Sequence, residues 1–206
     1  MTLSRTRSPL LVAPVLIALA AAGCGGNPTS SSAGGSGTTA AQGPNPNAPE
    51  KSPAGDIPDN QAYVAYAPPG AHYSVKVPEG WSRSSSARGV MFTDKLNSIT
   101  MQAAPAAAPL TPQAATAEAP KLAQTIKGFH LGHVSTVHRK AGTAIRITYT
   151  ATGAPNPVTG KAVTDAVERY VFFRGGRRLV LTLSGPKGAD NVDPWRIVTD
   201  SVRWTA

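Results

Sequence analysis

From Gly25 to Gln61 the chain reads GGNPTSSSAGGSGTTAAQGPNPNAPEKSPAGDIPDNQ, almost without large apolar side chains. A stretch like this cannot bury enough surface to offset the entropy lost in ordering its backbone. It confines a folded core to the residues C-terminal to it. As a coil of about 37 residues it is expected to act as a tether with an r.m.s. span of roughly 35 Å. Its Ser and Thr beside Pro fit either O-glycosylation or a plain solubilising linker.

Ahead of the tether, residues 1–23 carry Arg5 and Arg7, then an apolar run from Leu10 to Ala22, then Gly23 and Cys24. Charged start, short apolar middle and small-residue end are the three parts of a signal peptide. The run is about 13 residues and contains Pro14, too short for a spanning helix, which needs about 20. Cys24 is the only cysteine, so no intramolecular disulfide can form, and the core alone must hold the domain in an oxidising compartment.

Of the 206 residues, 41% are hydrophobic and 15% charged, with 20 Gly and 19 Pro, which suits strands joined by turns better than a helical bundle. The formal charge of +9 falls to +7 when Arg5 and Arg7 leave with the leader, since no acidic residue precedes Cys24. Outside a cell a basic surface favours anionic lipid heads or wall polymers; nucleic acid is not the expected partner.

Residues 63–206 show short alternating apolar runs bounded by Gly and Pro, the pattern of half-buried strands. Tyr73 to Val77, Val90 to Thr93 and Ser98 to Gln102 read as a meander. Thr111 and Pro112 then open an Ala-rich helix reaching toward Gly128, with Leu122, Ala123 and Ile126 on one side and Pro120 predicting a kink or two short helices. Phe129–Val137, Gly142–Ala151, Val163–Phe173 and Arg177–Ser184 read as four strands, with a loop at residues 153–160 and a tight hairpin at Gly175-Gly176. Asp193-Pro194 reads as the cap of a closing helix whose Trp195, Val198 and Val202 face the sheet. The fold class expected is α+β, a mostly antiparallel sheet flanked by helices.

Two resemblances add to this reading. Ala21-Ala22-Gly23-Cys24 resembles the lipobox of bacterial lipoproteins, which implies cleavage before Cys24, lipidation of its sulfur and anchoring on the outer face of the cell membrane. Tyr73-Ser-Val-Lys-Val-Pro-Glu-Gly-Trp81, with Arg196 to Trp204 at the other end, resembles PsbP/Mog1-like domains, and the lipoprotein context resembles the actinobacterial LpqN-like group. The second resemblance covers residues 63–206. It implies an αβα sandwich used for binding and assembly rather than catalysis, and it carries over no functional residue.

The residues offer little catalytic chemistry. His130-x-x-His133 with His138 is the only histidine cluster, but strand alternation places His130 and His138 on one side and His133 on the other, so no metal site is expected. Ser184-Gly-Pro-Lys187 spells Ser-x-x-Lys, yet Gly185-Pro186 reads as a turn leaving a strand rather than the helical turn that motif needs. Trp81, Trp195 and Trp204 read as core anchors. Arg174, Arg177 and Arg178 around the hairpin form the densest basic group and are the candidate anion site.

Three functions of different class are compatible with these residues. The first is a lipid-anchored, non-catalytic accessory domain for an envelope membrane protein or an anionic lipid or polymer, without a cofactor. The second is a carrier of a lipid or other apolar ligand, which requires a cavity between the sheet and the Pro120 helix. The third is a hydrolase, which requires convergent Ser, His and Asp.

Overall fold

The computed structural model describes residues 55–87, 89–155 and 159–205. The signal peptide, Cys24 and most of the tether lie outside the described residues, as do residues 156–158 of the expected loop.

Among the described residues, ten strands and two helices run in the order β1 (Tyr63–Tyr66), β2 (Tyr73–Pro78), β3 (Ser82–Ser86), β4 (Gly89–Asp94), β5 (Asn97–Pro105), α1 (Pro112–Thr125), β6 (His130–Arg139), β7 (Gly142–Pro155), β8 (Ala162–Arg174), β9 (Arg177–Pro186), α2 (Val192–Asp200) and β10 (Arg203–Trp204). Seven strands form one antiparallel sheet in the order β3-β4-β5-β9-β8-β7-β6, and β1-β2-β10 form a smaller one. The α+β architecture expected from the sequence is the one observed. The meander is β3-β4-β5, however, and β2 belongs to the small sheet. β3, spelled SRSSS and exposed along its whole length, carries no apolar alternation to announce it. A polar edge strand of this kind needs only the backbone of β4 as its partner.

The large sheet is buried on both faces by different layers. One face presents Leu179, Leu181 and Leu183 of β9, Tyr170 and Phe172 of β8, and Ile99 and Met101 of β5. Tyr73, Val75 and Val77 of β2 and Trp195, Val198 and Val202 in and just beyond α2 cover it. The opposite face presents Ile145, Ile147, Tyr149, Val167, Val171 and Val180, and α1 covers it through Ala115. Two-residue periodicity explains the division, because neighbours along each strand point to opposite faces. Trp195 is buried, and Trp81 and Trp204 pack against the first cluster, so all three tryptophans are anchors of that core.

α1 is one helix rather than two. Thr111 Oγ1 accepts from Ala114 N–H at 3.2 Å, Pro112 occupies the first turn, and Pro120 sits inside the helix. Its buried residues are Ala115 and Ala119, one turn apart, while Ala123 is exposed. At its other end Ile126 packs against the second core.

Two further expectations change at the ends of the domain. Among the described residues, packing reaches N-terminal of Tyr63 to the segment around Gly55. Ile57 is 4% exposed and belongs to the first core, and its N–H donates to Asn191 Oδ1 at 2.8 Å. The N-cap of α2 is Asn191, not Asp193, and it makes no side-chain capping bond because its amide serves that N-terminal segment instead. The chain beyond α2 leaves the helix at Ser201 and pairs with β2 as β10, which places Trp204 opposite Tyr73.

Candidate anion-binding cleft

The hairpin between β8 and β9 turns through Gly175 and Gly176, with φ of 56° and 73°. Both positions lie in the left-handed region that a two-residue hairpin needs and that glycine adopts without strain. The register places Arg174 opposite Arg177 and Phe173 opposite Arg178. Directly opposed residues share a face, and the next pair along points the other way. The tip therefore separates the three arginines: Arg174 and Arg177 lie on the face of the small sheet, and Arg178 lies on the face of α1.

Arg174 and Arg177 line a cleft of about 350 Å³ with His72, Trp204 and Thr205. Both guanidinium-bearing residues are exposed, and among the described residues neither forms an ion pair. Like charges directly opposite on a ladder repel, so this pair opposes the local stability of the hairpin. The far wall comes from a separate part of the chain. Thr205 N–H donates to the His72 carbonyl at 3.0 Å, extending the β2–β10 pairing and bringing the C-terminal residues to the tip. His72, Trp204 and Thr205 had no local signal marking them as neighbours of the arginines; only the pairing of β10 with β2 brings them there.

Arg178 has other surroundings. It lines a separate cleft with Glu118 and the Ala104–Thr111 segment. Its Nε is buried without a partner.

The histidines are also redistributed. A bulge between Leu131 and Val134 makes Gly132 and His133 share one partner position, with His133 N–H donating to Thr148 Oγ1 at 2.8 Å. The extra residue reverses the alternation beyond it. His130, opposite Thr150, therefore lies on the small-sheet face, and His138, opposite Thr143, lies on the α1 face, contrary to regular alternation. Among the described residues, no three His, Cys, Asp or Glu side chains converge on a metal-sized site.

Ser184 donates to Asp165 Oδ2 at 2.7 Å without an imidazole between them. Burial pushes the Asp165 carboxyl above its ordinary range, partly offset by the Ser184 hydroxyl. Lys187 comes after Pro186 in a turn and donates its backbone N–H to the Thr164 carbonyl at 2.8 Å.

Between α1 and the sheet, Ala115 packs with Ile145, Ile147 and their neighbours, and the cleft of about 400 Å³ lined by Ala114, Glu118 and Arg178 opens beside them. An open cleft of about 460 Å³ lies elsewhere, walled by Val192 and Trp195 of α2 and floored by Thr148, Thr150 and Glu168.

No family model matches the sequence, and no curated protein matches it. Among solved structures the chain is similar to cyanobacterial PsbP (CyanoP) from Synechocystis sp. PCC 6803, at TM-score 0.50 and 12% identity, covering 70% of this chain and 93% of that one. It is also similar to LpqN of Mycobacterium tuberculosis, described as involved in cell envelope biogenesis, at TM-score 0.42 and 18% identity over 71% of this chain and 91% of that one. The Ran-binding protein Mog1p of Saccharomyces cerevisiae aligns at TM-score 0.42 and 12% identity, over 61% and 78% of the two chains. The fold is PsbP-like; likeness at these identities speaks for fold alone.

Proposed function

We propose that this protein is a lipid-anchored extracytoplasmic lipoprotein whose domain serves as a non-catalytic accessory module, binding an anionic component of the cell envelope in the cleft of Arg174 and Arg177. The observation that carries the reading is the pair of exposed, directly opposed arginines beside Trp204 and His72, with no carboxylate in the described lining. Two planar guanidinium groups can each donate in a bidentate fork to phosphate or carboxylate, and an arriving anion relieves their mutual repulsion. The anchor rests on the lipobox-like ending at Cys24. Two acyl chains there give stable membrane attachment where one gives marginal attachment.

Calorimetric titration with tripolyphosphate tests the cleft. Arg174→Ala/Arg177→Ala should weaken binding by at least about tenfold, the order of one lost charge-assisted contact. Arg178→Ala, on the other face, should leave binding unchanged. Equal effects of all three substitutions would reject this cleft as the site. For the anchor, Cys24→Ser should move the chain from the membrane fraction to the soluble fraction.

A carrier of an apolar ligand is the second reading, favoured by the cleft against Val192, which is 72% exposed. Native mass spectrometry of protein from its own host tests it. A stoichiometric bound lipid supports the carrier, and a clean apo mass removes it.

A further inference from the structure

Beyond the tip cleft, a second basic cleft of about 420 Å³ opens where α2 meets the small sheet. Lys76 of β2, Lys140 of the β6–β7 turn, Arg196 of α2 and Arg203 of β10 line it, together with Asp193 and Asp200. The two carboxylates do not cancel the four cations. Asp200 is shared by Arg196 and by Arg139, each at 3.8 Å. Arg203 Nη1 donates to the backbone carbonyls of Asp200 and Val202 at 3.1 and 2.9 Å, which fixes the guanidinium, and among the described residues Arg203 forms no ion pair.

The two clefts share one surface. Along β2, Tyr73, Val75 and Val77 point into the core, so His72, Ser74 and Lys76 point outward. Arg203 pairs with Ser74, and Thr205 bonds to His72, so these C-terminal residues lie along the same track. His72 borders the tip cleft, and Lys76 borders the second. Four residues of strand separate them by about 13 Å. The ground between is small: Ser74, and Ala65 paired with Lys76.

We infer that the small sheet carries one extended site in which an anionic polymer chain runs from Arg174 and Arg177, past His72 and Arg203, to Lys76, Lys140 and Arg196. This rests on the anion-binding reading of the tip cleft and names its substrate class, a linear polyanion rather than a single anionic headgroup. Concave basic ends joined by a narrow track of small side chains suit a chain with repeated charges. A bilayer surface would meet the rims of two clefts and could not fill them. Occupying both ends with one molecule makes the second contact intramolecular, so affinity should rise steeply once the chain spans the track.

The experiment is calorimetric titration of the full acylated chain in neutral detergent with tripolyphosphate and with linear polyphosphate of about 45 units. The longer chain should bind at least about tenfold tighter per molecule, with a steeper dependence on salt. Lys76→Ala/Arg203→Ala should remove that advantage and leave tripolyphosphate binding unchanged. Lys140→Ala/Arg196→Ala, on exposed positions outside the sheet ladder, should do the same, guarding against a folding defect in the first variant. Equal affinities for short and long anions, with both variants neutral, would overturn the extended site and leave the tip cleft standing. Failure to bind either anion would remove both readings. Binding of phosphatidylglycerol vesicles through both clefts, with no length advantage in polyphosphate, would make the occupant a bilayer and overturn the polymer.

Discussion

Asn191 and Ile57 are joined across 134 residues of chain by the bond from Ile57 N–H to Asn191 Oδ1 at 2.8 Å. The same amide donates to the Gly55 carbonyl at 3.0 Å and to Asn97 Oδ1 at 3.1 Å, while Asn97 Nδ2 donates to Gly55 at 2.8 Å. Two asparagines thereby seal the N-terminal segment to the β4–β5 turn and the start of α2. Asn191→Ala leaves buried donors and acceptors without partners, each costing about 1–3 kcal/mol. Denaturant unfolding should show a loss in that range or above it, and a chain beginning at Tyr63 should show a comparable loss because it lacks Ile57.

Tyr170 ties the sheet to α2. Its hydroxyl donates to Glu168 Oε2 at 2.7 Å and accepts from Arg139 Nη2 at 3.0 Å, while Arg139 Nε reaches Thr199 Oγ1 at 3.0 Å and Arg146 pairs with Glu168. Burial and the Glu168 carboxylate push the phenol up to about 12. The folded-state value lies above the unfolded one, so this stabilisation is complete below about pH 10 and is lost as pH rises through about 12. Tyr170→Phe should cost about 1–3 kcal/mol at pH 7, measured by urea unfolding.

Asp165 offers a pH test at the other end of β8. Its Oδ1 is buried without a partner, and Gly153 packs against the carboxylate so closely that a side chain there would collide with it. Because burial raises its folded-state pKa, its contribution is complete below about pH 4 and is lost as pH rises through the raised folded value. Asp165→Asn removes the ionisation and keeps an oxygen for the Ser184 hydroxyl. The difference in Tm, variant minus wild type, should be more positive at pH 7 than at pH 3.5; an equal difference at both would show that Asp165 does not titrate in this window.

Ala115, fully buried on the inner face of α1, sets how closely that helix approaches β6 and β7. Ala115→Leu inserts volume into a filled layer and should destabilise by about 1–3 kcal/mol. Thermal unfolding measures this, and the tip cleft on the opposite face should retain its affinity for tripolyphosphate.

Strands with a buried face were legible because period-two alternation is a local property: β2, β4, β5 and β7 to β9 all carry it. β3 and β10 were not legible, since one is wholly polar and the other is two residues long. Pro120 left two outcomes open, a kink or two short helices, and the structure holds one helix through it, with Ala115 and Ala119 buried on its inner face. For the candidate site, Gly175-Gly176 announced the hairpin and its arginines. Their division between two faces came from the register, and the histidine reversal from a bulge that no residue type announces.

The sequence by itself determined the fold class, the central strands, the tryptophan anchors and the tip of the β8–β9 hairpin, because each depends on spacing within a few residues. Tertiary structure alone decided that Ile57 belongs to the core, that Asn191 serves Gly55 and Ile57 rather than its own helix, and that Arg174 and Arg177 part from Arg178 to face His72 and Trp204. Those relationships join residues tens to more than a hundred positions apart. They depend on strand pairing and layer packing, whose geometry exists only once the chain has closed on itself.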